Sequence, residues 1–233
     1  MRTIHVFVAL CDNVNQGIVP VPAFMGNGKD TKQNLYWGLA GGVKTYFKNS
    51  KEWKLIKTIK NPKDMILERV IFKHKSTNVY LLADAYDGAE IKQTTIDFFN
   101  ACSGDFSTKI KLDSLTINFG GGSNLISYIG HDGLMDFNLD INFKQNDTKK
   151  RDTIILACIS KRFFAANLKQ TGAYPLVWTT GLMAPEAYTL KWALDGWILN
   201  ESAEQIRDRA AQAYNSYQKC GIKASRNLLV TGW

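Results

Sequence analysis

The chain has 233 residues, 45% of them hydrophobic, enough for a sizeable buried core without disulfide staples. Its four cysteines, Cys11, Cys102, Cys158 and Cys220, are widely and irregularly spaced with no CxxC pair, which speaks against a zinc site or a disulfide framework. The formal charge is +8, but its densest block, the lysines at 44, 48, 51, 54, 57, 60 and 63, holds no arginine and reads as a solvated face, so nucleic acid is not the expected partner.

The first apolar run, "IHVFVALC" (4–11), ends at Asp12-Asn13 without a small-x-small cleavage site. It reads as a buried strand, not a signal peptide. "KQNLYWGLAGGVKTYFKN" (32–49) is a predicted helix weakened by its glycine pair. "WKLIKTIK" (53–60) alternates and suits an edge strand, with "ERVIFKHK" (68–75) as a hairpin partner. "VYLLADAY" (79–86) is again continuously apolar, as expected of a strand buried on both faces. The spacing of Ile91, Thr95, Phe98, Phe99 and Cys102 predicts a helix over 88–104.

"FGGGSN" (119–124) is glycine-rich but precedes a strand and lacks Lys-Ser/Thr. A phosphate loop is therefore not expected, and a nucleotide-binding α/β protein loses its main support. "LISYIG" (125–130) and "TIILAC" (153–158) are two further buried strands, joined by a polar connection over 134–152. A helix over 161–172 stops at Gly172 as a C-cap, and "PLVWTT" (175–180) is the next strand. From about 185 the chain reads as helix, broken at Asn200 to Ser202, with Ser202 and Gln205 forming a capping box. No run is long enough to cross a bilayer as a helix, so a soluble, cytoplasmic protein without a membrane partner is expected.

Alternation of strands and helices predicts an α/β fold in three layers: a mostly parallel sheet with helices on both faces, in one domain over 1–233. In such sheets working residues gather at the carboxyl ends of strands. Asp12, Asp87, His131, Cys158 and Thr179 all stand at such ends. If the strands before His131 and Cys158 are neighbours, roughly 4.8 Å apart, an imidazole and a thiol project side by side. That pair suffices for nucleophilic catalysis. The amides near Gly130, Asp132 and Gly133 could serve the oxyanion, and the helix beginning near Lys161 is expected to favour a thiolate at Cys158.

A hydrophobic block ending in His-x-Gly, "LISYIGHDG", followed by one ending in Ala-Cys, "TIILACIS", resembles the caspase-like cysteine peptidases: caspases, metacaspases, legumain, gingipain, clostripain and separase. The resemblance implies a six-stranded, mostly parallel sheet, with histidine after the third core strand and cysteine after the fourth. It implies a cysteine endopeptidase acting on peptides or proteins through an acyl-thioester, without metal or organic cofactor. His131 would protonate the leaving amine, Cys158 would be the nucleophile, and the amides of Asp132, Gly133 and Cys158 would hold the oxyanion. Asp12 would match an acidic residue that selects basic side chains, and Trp178, Thr179 and Met183 would line the substrate cleft. Asp132 stands where the group usually has glycine, and Leu156 where several members carry aspartate. The loop between the motifs holds no obvious maturation cleavage site, although "KKRD" (149–152) is basic and could be one. The alternative reading is a catalytically inactive module of the same fold that binds without turnover. Cys11, at the end of the first strand, rivals Cys158 as nucleophile. Cys102 and Cys220 read as structural, His5 as a core or edge histidine and His74 as surface.

Overall fold

The computed structural model describes residues 1–233. Its central feature is a twisted sheet built around β1 (Arg2–Ala9), β4 (Val79–Tyr86), β7 (Leu125–Ile129), β8 (Asp152–Leu156) and β9 (Tyr174–Thr179). These five run parallel in the spatial order β9-β8-β7-β1-β4. The sheet is mixed and has eight strands, not six. The antiparallel pair β2 (Trp53–Lys63) and β3 (Ile66–His74) extends it beyond β4, and the two-residue β10 (Leu229–Val230) caps β9. Lys54, Lys57, Lys60 and Lys63 lie on β2, the outermost strand, where charge discourages further strand pairing.

Strand alternation sorts the core into two layers. Ile4, Val6 and Val8 of β1 face one side, where they pack with α1 (Val43–Asn49), α4 (Ala187–Ile198) and α5 (Ala203–Gln218) through Phe47, Leu190, Leu194 and Ala210. Phe7 and Ala9 face the other side, covered by α2 (Ile91–Ser103) and α3 (Ser160–Thr171) through Phe98, Phe99 and Phe164. A hairpin of β5 (Ser107–Leu112) and β6 (Leu115–Gly120) extends this second layer over Ile71 and Leu82. Beneath it, buried His5 contacts Asp84 at 3.0 Å, and Arg69 grips the same carboxylate at 2.6 and 2.7 Å. His5 is thus a paired core histidine. His74 is half-buried, edge-on to Trp53.

The helix predicted over 32–49 forms only over its last seven residues. Residues 10–42 instead make a long turn-rich segment after β1. Asn34 explains the difference. Its side chain accepts from the amides of Cys11 and Tyr36 and donates to the carbonyls of Cys11 and Asn27, stitching the segment back to the end of β1. Asparagine competes with helix formation by such local bonds. The capping box at Ser202 and Gln205 is present, and a third short helix, α6 (Ile222–Leu228), follows α5. No helix is long and apolar enough to cross a membrane.

Candidate active site

The strand order reverses at β1. The chain places β4 on one side of it, then crosses back to place β7 on the other. A crevice at the carboxyl ends of the strands is expected at such a switch point. A cavity of about 270 Å³ opens there. Its walls come from four loops: Gly17, Ile18, Val19, Val21 and Tyr36 after β1; Gly130, His131 and Met135 after β7; Cys158 after β8; and Leu182, Met183 and Pro185 after β9.

Register explains why His131 and Cys158 both reach it. Ile129 of β7 pairs with Leu156 of β8, so each residue stands two positions past the last ladder pair. Gly130 makes the turn before the histidine with φ +151°, and a Cβ there would lie 2.9 Å from the carbonyl oxygen of Ala9. Both conditions favour glycine. The "GHDG" turn then folds into a short 3₁₀ turn over Gly133–Met135, capped by the Asp132 side chain, which accepts from the amide of Leu134.

The imidazole of His131 is buried, and its Nε2 lies 2.6 Å from Oδ2 of Asp136. The same oxygen accepts from the amide of Gly17 at 3.2 Å, tying the segment after β1 to the histidine loop. Asp136 does not stand out in the sequence; its only signal there is an acid five residues beyond the histidine in an otherwise polar stretch. It plays the part of an orienting carboxylate, which fixes a ring and leaves the other nitrogen for chemistry.

Cys158 Sγ accepts from the amide of Met183 at 3.4 Å and lies 3.6 Å from its carbonyl oxygen. No hydrogen bond joins Sγ to His131. Burial pushes the thiol above its ordinary range; the Met183 amide opposes this and the nearby Asp132 carboxyl adds to it. No amide of α3 donates to the sulfur. The first amide of that helix, on Ser160, is taken by Thr179 Oγ1 at 3.1 Å. Ile159, directly after the cysteine, has φ +49°. A β-branched residue in the left-handed region is strained, and such strain clusters at functional turns. It is held by a hydrogen bond from the Ile159 amide to the Gly181 carbonyl at 2.9 Å.

Asp132 is fully buried. Its Oδ2 has no partner, and burial raises the carboxyl to about 7. The backbone amides of Asp132 and Cys158 donate to no protein acceptor. Neither Asp132 nor Gly133 lines the cavity; Gly133 is buried, and a Cβ there would meet Phe137 and Ile91.

Several residues expected to meet substrate lie outside the cavity. Asp12 lies outside the cavity: its carboxylate accepts from the amides of Val14 and Asn15 and from the Asn15 side chain, holding its own turn. Trp178 points into the opposite layer, donating to the Gly232 carbonyl at 3.1 Å and packing edge-on to Trp233. Strand alternation puts it there, one residue out of phase with the cavity side. Thr179 is buried and bonds Ser160 and the Ala157 carbonyl, so it supports the cysteine turn from behind. Of that group only Met183 lines the cavity. Arg151, the centre of the expected maturation stretch, is buried and bonded to Asp147 and the Gly121 carbonyl. The glycine run 119–124 thus presents carbonyls already engaged by Arg151 and Lys149, the reverse of a phosphate cradle.

Cys11 is buried outside the cavity, and burial raises its thiol to about 11. Cys102, on the buried face of α2, is also pushed up by burial; Cys220 is exposed. No three His, Cys, Asp or Glu side chains cluster in a manner suited to a metal ion. No family model, curated protein or solved structure matches the chain.

Proposed function

We propose that the protein is a cysteine endopeptidase of the caspase-like kind, with Cys158 as nucleophile and His131 as the proton donor to the leaving amine. The observation that carries this reading is the shared cavity: the two side chains stand at equal height on adjacent parallel strands and open into one crevice. The order also agrees, since His131 follows the third parallel strand in the chain and Cys158 the fourth.

Absence of a direct thiol–imidazole bond suits this division of labour. A scissile peptide lying between the two presents its carbonyl carbon to sulfur and its nitrogen to the ring. Sulfur attacks the carbon, the thiol proton passes to His131, and the tetrahedral oxyanion is met by the unpaired amide of Cys158, a residue that lines the cavity. Collapse breaks the C–N bond as the imidazolium gives its proton to the amine. Water then cleaves the thioester and regenerates the thiol. Asp136 holds the ring throughout. The test is hydrolysis of a mixed peptide library by the intact protein, by Cys158→Ala and by His131→Ala. Cleavage lost in both variants supports the reading; cleavage undiminished in Cys158→Ala places the nucleophile elsewhere.

One observation favours the rival reading, a module that binds peptides without cutting them. The Cys158 sulfur is clasped by the backbone of Met183, and its thiol is shifted toward the protonated form. Saturable peptide binding with no turnover in the library assay would select it.

A further inference from the structure

The walls of the cavity say which side chain it takes. Ile18, Val19, Val21, Met135, Leu182, Met183 and Pro185 line it, and no lysine, arginine, aspartate or glutamate does. Apolar residues also continue onto its rim: Val19 is 87% exposed and Leu182 72% exposed. Asp12, the acid expected from the sequence to receive a basic residue, is spent on its own turn. At about 270 Å³ the space is smaller than the roughly 300–1,000 Å³ of sites for drug-sized ligands, so it suits one side chain and adjoining backbone.

We propose that this cavity receives a single uncharged, bulky apolar side chain, of the size of leucine, methionine or phenylalanine, on the residue whose carbonyl Cys158 attacks. The inference rests on the peptidase reading above and adds its substrate class. A charged side chain entering these walls loses its hydration, and the one carboxylate beside them, Asp136, is already engaged by His131 and the Gly17 amide. An apolar one buries its surface against Val21, Met183 and Pro185 and draws the exposed Val19 and Leu182 out of water.

The test is the rate of covalent labelling of Cys158 in the full chain, read by mass spectrometry, which needs no turnover. Peptidyl electrophiles differing only in the side chain next to the warhead would be compared: Leu, Phe, Arg and Asp. Leu or Phe is expected to react about 100-fold or more faster than Arg or Asp. Equal rates, or a faster charged probe, overturn the apolar assignment. Failure of every probe to label Cys158 faster than the exposed Cys220 overturns the peptidase reading, and this inference with it. Leu182→Asp, on an exposed rim residue, is expected to narrow the Leu-over-Arg ratio at least 10-fold; an unchanged ratio overturns the pocket as the seat of selectivity.

Discussion

His131 and Cys158 each stand two residues beyond the paired Ile129 and Leu156, so the thiol and the ring share one cavity without touching through a hydrogen bond. The sulfur instead rests against the Met183 backbone.

It follows that the resting thiol is not half of an ion pair. Burial raises its pKa above that of an ordinary cysteine. Alkylation of Cys158 by iodoacetamide, which has no side chain to recognise, is expected to keep accelerating as pH passes about 9. A plateau below about pH 8 would show a thiolate stabilised by imidazolium and refute this.

Asp136 is a positioning residue. On the peptidase reading its removal in Asp136→Ala frees the ring, and kcat is expected to fall about 10- to 100-fold, the usual cost of losing a group that orients a histidine. The melting temperature should move little, because the carboxylate is partly exposed. Asp136→Asn, which can still accept from the ring, should recover part of the loss; a variant equal to Ala would argue against orientation as the cause.

Asp132 makes a signed claim about pH. Its carboxyl is raised to about 7 in the fold. The native state therefore holds a proton that the unfolded chain releases near about pH 4. Stability from this group is complete below about pH 4 and is lost as pH climbs through about 7, by at most about 4 kcal/mol. Asp132→Asn should flatten the decline in unfolding free energy between about pH 4 and 8. Parallel curves for the two proteins would remove the burial argument.

Gly130→Ala meets both a positive φ and the Ala9 backbone. It is expected to cost about 2–3 kcal/mol in chemical denaturation and to abolish Cys158-dependent cleavage by displacing the histidine turn. Ile159→Asn, by contrast, relieves a strained left-handed position on a half-buried residue. It should leave stability unchanged or raise it by about 1 kcal/mol despite the lost apolar surface.

The parallel strands are legible because continuous Val, Ile and Leu runs mark strands covered on both faces, and the ladder pair Ile129–Leu156 follows from their being neighbours. The hairpin Ser107–Gly120 is not: its short alternating strands carry lysines and a tight turn at Asp113, and the sequence pattern assigns this segment to no element; its role shows only where Ile110 and Ile117 cover Ile71 and Leu82. In the site, chain order shows His131 and Cys158. It does not show Asp136, Tyr36 or Val21, whose placement depends on how the 10–42 segment folds back, a matter of Asn34 side-chain bonds and not of periodicity. Trp178 departs from its expected place by one step of the pleat, which decides between cleft and opposite layer.

The Oδ2 atom of Asp136 carries both the Nε2 of His131 and the amide of Gly17. The neighbouring residues Ile18 and Val19 line the cavity. On the proposed reading, recognition and proton delivery are mechanically yoked through one oxygen. A cargo that pushes this wall outward would then tilt the ring, so reshaping residues 17–21 to retarget the pocket is expected to change turnover along with choice.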